Sequence, residues 1–244
     1  MKKVIQGFLP ACALLLSLQA CNGDKTTETT DTKMMDSSAM ATKPEAPMNV
    51  TPAIPSQFTM LEVDFMVNDV ATWKAGFAED SAQRTAAGMH TLAVAQDVNN
   101  PKHLQIDMMV DDTARSNAFM KSPELQAHIK KIGVSNAKPA LYHVERFDTS
   151  SHEKTWVMVT HKVKDFATWL KAFDDETMNK RISEGMHDVV VARGIPDDNT
   201  VQVILDITDM AKAKAAITSP DKKQIMMKAG VTSTPVISYW KSLE

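Results

Sequence analysis

One stretch of this 244-residue chain occurs twice, and that recurrence limits the fold more than any other feature. The first copy opens Val67-Asn68-Asp69-Val70-Ala71-Thr72-Trp73 and reaches Gly88-Met89-His90. The second opens Val163-Lys164-Asp165-Phe166-Ala167-Thr168-Trp169 and reaches Gly185-Met186-His187. Asp69 and Asp165 stand 96 positions apart, as do Trp73 and Trp169, and Phe77 and Phe173. From Arg84 and Arg181 onward the offset is 97, so one inserted residue near the end of the first helix aligns the copies. At that offset Gln105 meets Gln202, Asp112 meets Asp209, Ser122-Pro123 meets Ser219-Pro220, Gly133-Val134 meets Gly230-Val231, and Tyr142 meets Tyr239. Two copies at so long a period exclude a solenoid and predict a two-lobed body of units of roughly 90 residues.

Each unit reads β-α-β-β-α-β. In the first, alternation predicts strands over 58–67, 90–96, 104–110 and 140–147. Asp69 is placed to cap a helix ending near Gly88, with Val70, Trp73 and Phe77 on one face. Asp112 caps a short second helix, Ser122-Pro123 restarts it and Gly133 ends it. The second unit repeats these signals, with strands over 156–163, 187–193, 201–207 and 236–241. The connector, 148–154, is short and polar. The order is that of the ferredoxin-like split βαβ unit, which covers one sheet face with helices and leaves the other bare. In the first strand Leu61, Val63, Phe65 and Val67 oppose Met60, Glu62, Asp64 and Met66. A bare face so mixed in character needs a partner sheet, and the second copy supplies one. The expected fold is therefore α+β: two tandem ferredoxin-like repeats, 57–148 and 154–244, packed sheet to sheet as an internal pseudo-dimer in a monomeric chain.

This pattern resembles the dimeric α/β-barrel superfamily in fused form, and within it the antibiotic biosynthesis monooxygenase-like domains. The residues carrying the likeness are the capped Asp-x-x-x-Trp helix, Gly88-Met89-His90, and the stretch from Ser122-Pro123-Glu124-Leu125 to Gly133-Val134. The likeness speaks to fold far more than to function. The superfamily includes cofactor-free monooxygenases, haem-degrading enzymes and isomerases. Its haem-degrading members pair a helical His with an Asn and a Trp; Asn68 and Trp73 are present here, but the first helix of neither repeat carries a His. No catalytic residue carries over, and no cofactor is expected.

The N-terminus carries its own signals. Lys2 and Lys3 precede an apolar run over 4–18, too short and broken to span a bilayer, which reads as a signal peptide over 1–20. Leu18-Gln19-Ala20-Cys21 resembles the lipobox of bacterial lipoproteins. The resemblance implies lipid on Cys21, and Asn22 after it favours the outer membrane. Cys12 would leave with the signal, so the exported body holds no cysteine for a disulfide or thiolate site. Residues 21–56 are rich in Thr, Ser, Asp, Lys and Pro and read as a disordered tether to the membrane. Copper capture by Met34, Met35, Met40 and Met48 is one reading; chance placement in a chain with 17 Met is the other.

Among candidate ligand-binding residues His90 and His187 come first, as the equivalent histidines at the start of the second strands. A His beside an apolar cavity serves as a base or ligand contact; alternatively it ties a backbone carbonyl. Trp73 and Trp169 wall a pocket or simply fill the core. Tyr142 and Tyr239 offer a phenol on each fourth strand or act as structural ties. Glu62, Asp64, Gln105, Asp107, His143 and Glu145 share a strand face in the first repeat, so a polar lumen pairing with Lys162 of the second is one outcome. The seven His show no metal-ligand spacing, and no metal is expected. A net charge of −3 without a basic run excludes nucleic acid as a partner. The pockets are expected between each sheet and its helices, where each Trp meets its His. The repeats differ at pocket-facing positions such as Phe65 against His161 and Leu141 against Ser238, so one lobe keeps a site the other has lost. Three readings follow: a lipid-anchored envelope protein binding or sensing a small, mainly apolar molecule; a cofactor-free monooxygenase or isomerase acting on an aromatic or quinone-like substrate; and a structural, partner-binding lipoprotein.

Overall fold

The computed structural model describes residues 54–243. The signal peptide, Cys21 and the tether up to residue 53 lie outside the described residues. Sixteen elements follow in order. The first repeat supplies β1 (Phe58–Val67), α1 (Val70–Glu79), α2 (Ser81–Ala86), β2 (Met89–Asp97), β3 (His103–Val110), α3 (Thr113–Met120), α4 (Pro123–Lys131) and β4 (Val134–Phe147). The second supplies β5 (Thr155–Lys162), α5 (Phe166–Asp175), α6 (Met178–Ser183), β6 (Met186–Ile195), β7 (Thr200–Ile207), α7 (Met210–Ile217), α8 (Pro220–Lys228) and β8 (Val236–Ser242).

The caps act where their residue types require. Asp69 and Asp165 accept from the backbone N–H of Thr72 at 2.7 Å and of Thr168 at 2.8 Å. Ser122 and Ser219 do the same for Leu125 and Lys222, each with Pro at the first helical position. Each cap is worth about 1 kcal/mol. The first helix, expected to run unbroken to Gly88, is broken at Asp80, which ends α1 and begins α2. At the same break the second repeat carries its extra residue, Thr177, in the left-handed region at φ 66°. Gly88 and Gly185 turn each chain out of its helix at φ 72° and 80°. A side chain at Gly185 would sit 2.7 Å from the Asp209 carbonyl oxygen, so the close pass beneath α7 also requires glycine.

Strands pair in the order β4-β1-β3-β2 in the first repeat and β8-β5-β7-β6 in the second. The two sheets do more than face each other. β4 bonds to β6 from Leu141–Ile195 to Phe147–Val190, and β2 bonds to β8 from Ala95–Ser242 to Asp97–Trp240. The eight strands thereby close into one antiparallel barrel, which removes the free edges of both sheets. Side chains alternate between the lumen and the surrounding helices. Leu61, Val63 and Phe65 pack outward with Trp73 and Ile132, and Val157, Val159 and Val201 with Trp169. Met60, Tyr142, Val144, Trp156, Met158 and Trp240 form a third core inside the barrel.

Two expectations change. Met60 pairs with Tyr142, whereas its equivalent Trp156 pairs with Trp240. Tyr142 is therefore equivalent to Trp240, and Leu141 to Tyr239 rather than Ser238. One additional residue between Val231 and Val236 moves the register, and a one-residue slip turns every side chain to the other face. Lys162 does not enter the lumen; it bonds Asp197 in its own lobe at 2.8 Å, in the open. Ion pairs do join the lobes, but along the β4–β6 seam: Arg193 to Glu145 at 2.6 Å, and Arg146 to Asp174 at 2.6 and 2.7 Å.

Candidate functional site

A cavity lies between sheet and helices in each lobe, in equivalent places. The first, of about 80 Å³, is walled by Phe65, Trp73, Phe77, Met89, Met108 and Leu125. The second, of about 70 Å³, is walled by His161, Trp169, Phe173, Met186, Leu205 and Lys222. The helix faces that carry each Trp over the sheet build both. Trp73 stacks on Phe77 at 5.1 Å and meets Phe65 at 5.4 Å; Trp169 stacks on Phe173 at 5.2 Å and meets His161 at 5.6 Å. An arginine closes each ladder, with Arg84 3.5 Å above the Phe77 ring and Arg181 3.8 Å above that of Phe173. Backbone carbonyls hold both guanidinium groups, at Phe77 and Phe173 respectively.

The polar complement separates the two. In the first lobe it is one ion pair, Arg84 with Asp80. In the second, Arg181 binds Asp188 through two bonds of 2.6 Å. Lys222, standing where the first lobe has Leu125, bonds Glu176 and, at 2.9 Å, Glu184. Behind this ring of charge lies His161, only 5% exposed. Neither of its ring nitrogens has a hydrogen-bond partner. Burial drives its pKa down to about 4, so the ring is neutral. An imidazole that leaves both a donor and an acceptor unmet in an apolar cavity costs about 1–3 kcal/mol. Small volumes also trade places. In the first lobe Gly76 makes room for Ile132, whose Cγ2 would lie 2.4 Å from a Cβ at that position. In the second, Ala172 faces Ala229.

Of the residues singled out from sequence, Trp73 and Trp169 line these cavities. His90 and His187 do not. His90 meets Asp111 through Nε2 at 2.9 Å with its side chain 36% exposed, and His187 Nδ1 contacts the Asp188 carbonyl at 3.0 Å. Both follow a helix-facing Met, Met89 or Met186, and alternation turns them from the helices. Tyr142 stands in the lumen, where burial and then Glu62 and Asp107 raise its phenol pKa. Tyr239 packs on the second helix-facing core, 5.1 Å beneath Lys214 Nζ. His161 stands out in the sequence as a pocket-facing mismatch with Phe65 but is not among the ligand-binding candidates; the structure places it at the cavity wall. Among the described residues, no group of three or more His, Cys, Asp or Glu is arranged to hold a metal ion, and no helix is long and apolar enough to cross a membrane.

The lumen holds a polar layer within its apolar core. Glu62 and Asp107 are cross-strand neighbours on β1 and β3. Gln202 reaches across from the other lobe to donate to Glu62 at 2.7 Å, and Gln105 donates to Asp107 at 3.0 Å. Burial and then the adjacent Asp107 raise the Glu62 pKa to about 8; burial also raises Asp107.

Solved structures share this architecture. A candidate monooxygenase from Lactobacillus acidophilus superposes with a TM-score of 0.51 at 13% identity, over 75% of this chain and 93% of its own. A candidate monooxygenase from Fusobacterium nucleatum gives 0.53 at 14%, over 78% and 93%. An anthrone oxidase-like protein gives 0.54 at 12%, over 76% and 91%. These likenesses show that the fold is shared, and at such identities the fold alone. No family model and no curated relative matches the sequence.

Proposed function

We propose that this protein binds or senses a small, mainly apolar molecule in the sheet–helix cavity of its second lobe, between Trp169 and His161. The observation carrying this reading is the buried, neutral His161 ring with both nitrogens unpaired. A ligand carbonyl oxygen would accept from the ring N–H, or a ligand hydroxyl would meet either nitrogen, so one such oxygen relieves one of the two unmet groups, while Trp169, Phe173 and Leu205 take the apolar remainder. The cavity is below the roughly 150 Å³ that accommodates benzene, so a ligand of more than a few heavy atoms must displace the half-buried Met226 at its wall. Binding is favoured over proton abstraction, because an imidazole held near 4 is a weak base at neutral pH. Native mass spectrometry of the protein purified from its own host is the test. A bound mass is expected in the native chain and in His90→Ala, and is expected to vanish in His161→Phe, which places in lobe two the residue lobe one already carries. A bound mass that survives His161→Phe refutes this assignment.

We place the binding body on the bacterial envelope, held by lipid on Cys21 and facing the periplasm from the outer membrane. The apolar run ending in Leu18-Gln19-Ala20-Cys21 supports this. Cys21→Ser should move the protein from the membrane fraction to the soluble one; unchanged fractionation would refute the anchor.

A further inference from the structure

A separate cavity, of about 190 Å³, opens at the end of the barrel next to the connector, away from both sheet–helix cavities. It is walled by both lobes. Met60, Leu92, Phe147 and Ile204 give it an apolar lining, and Asp107, Asp206 and Glu153 an acidic one. Its volume exceeds the roughly 150 Å³ that accommodates benzene. Burial raises the Asp206 pKa, and the Ser151 side chain and Glu153 backbone of the adjacent connector oppose that rise, so the connector lies over this end.

Two independent features point to a missing occupant. The first is an uncompensated charge. Asp107 is 4% exposed and Asp206 7%, and among the described residues neither has a Lys, Arg or His nitrogen within 4 Å. Gln105 bonds Asp107 and the connector meets Asp206; the titratable groups beside them are the carboxyls Glu62 and Glu153 and His187, which stands opposite Asp206 on β6 beyond ion-pair distance. Buried carboxylates are costly unless paired with a cation or protonated. The second is an unmet donor. Trp156 lines the same cavity, is 8% exposed, and its indole N–H has no acceptor. A buried N–H of that kind is rare and asks for an acceptor atom.

We propose that the connector end of the barrel is a second binding site, taking a small amphipathic amine: an ammonium group for Asp107 and Asp206, an oxygen acceptor for the Trp156 indole N–H, and a short apolar body against Met60, Phe147 and Ile204. The carboxylates supply charge-assisted acceptors to an ammonium, and a desolvated lumen strengthens them. An uncharged analogue gains none of this. The site is distinct from the His161 cavity and does not depend on it.

The test is titration of the full-length protein with three amines, tyramine, butylamine and ethanolamine, and with the uncharged counterpart of the first, tyrosol. The readouts are calorimetry and the indole N–H resonance of Trp156, identified by its absence in Trp156→Phe. Saturable binding of at least one amine is expected, with movement of that resonance, and weakening by roughly ten- to a hundred-fold in Asp206→Asn. Asp107→Asn should weaken it similarly, and His161→Phe should leave it unchanged. Thermal unfolding of each variant separates lost binding from lost fold, and the comparison of tyramine with tyrosol in the native chain needs no variant at all. No saturable response to any of the three amines, or equal binding of tyrosol, overturns the proposal and leaves the two aspartates as structural groups.

Discussion

The two sheet–helix cavities make a controlled comparison. They share a scaffold, an aromatic ladder and a capping arginine, and they differ in a handful of side chains. Where the first has Phe65, Leu125 and Ile132, the second has His161, Lys222 and Ala229. The first is closed by one ion pair, the second by Lys222 and Arg181 set among Glu176, Glu184 and Asp188. The first cavity is thus closed mainly by apolar packing, while the second is ringed by buried charge and backed by an unpaired imidazole. Those groups are poor sources of stability for the area they occupy. The lesson is that one scaffold, copied, can close the same cavity either with apolar side chains or with charged ones.

The largest expected effect comes from making the second lobe like the first at the charged ring. Lys222→Leu removes the ammonium that Glu176 and Glu184 share, leaving them Arg181 at 3.8 Å and Lys180 at 3.1 Å, in a site where all three side chains are at most 14% exposed. Breaking a buried pair in this way costs about 3–5 kcal/mol. Chemical denaturation of native and variant chains measures it. A loss below about 1 kcal/mol would mean that solvent screens the ring as it does surface pairs, and the contrast between lobes would shrink to His161 alone.

His161 gives the next effect, and it depends on pH. Its folded pKa, about 4, lies below its ordinary value of 6.5. The unfolded chain therefore takes up a proton first, and stability falls as pH drops from 6.5 to 4, by up to about 3 kcal/mol. Glu62 acts in the opposite sense. Its raised pKa favours the protonated acid in the folded state, so that contribution is full below 4.5 and lost as pH rises through about 8. The difference between the native chain and His161→Phe isolates the imidazole. The variant should gain about 1–3 kcal/mol at pH 7, from removal of the unmet nitrogens, and its advantage should widen towards pH 4. A variant whose advantage stays flat across that range would show that His161 is solvated or paired in solution.

Much of the fold is legible from local chemistry, and the missing parts are those decided at a distance. Asp69, Asp112, Ser122 and their counterparts cap helices because a short polar side chain can reach a nearby free N–H. β1 was readable residue by residue, since its two faces alternate without interruption. β2 and β6 each carry a bulge, between Thr91 and Ala93 and between Asp188 and Val190, that alternation does not announce. The slip before β8 has the same root: Tyr142 and Tyr239 look equivalent in the linear order and stand on opposite faces of the barrel. The candidate site was legible only in outline. The two Trp lie on helix faces that periodicity defines, whereas the approach of Lys222 to Glu176 and Glu184 joins residues 46 and 38 positions apart. His161 was legible as a pocket-facing mismatch, but its burial without a hydrogen-bond partner depends on what packs around it.

The smallest expected effect tests whether the histidines chosen from sequence belong in this comparison. His90 contacts Asp111 from a side chain 36% exposed, with the aspartate 48% exposed. Ion pairs in such settings contribute about 0.2–1 kcal/mol. His90→Ala should therefore cost no more than about 1 kcal/mol in denaturation. Its counterpart His187 contacts the neighbouring Asp188 carbonyl and stands opposite Asp206, and its removal should cost a similar amount. Neither change should alter a bound mass that His161→Phe removes. If His187→Ala abolished that mass while leaving the unfolding midpoint in place, the working site would extend from the helix side of the sheet to the lumen side, and the two cavities would have to be compared across the whole barrel wall.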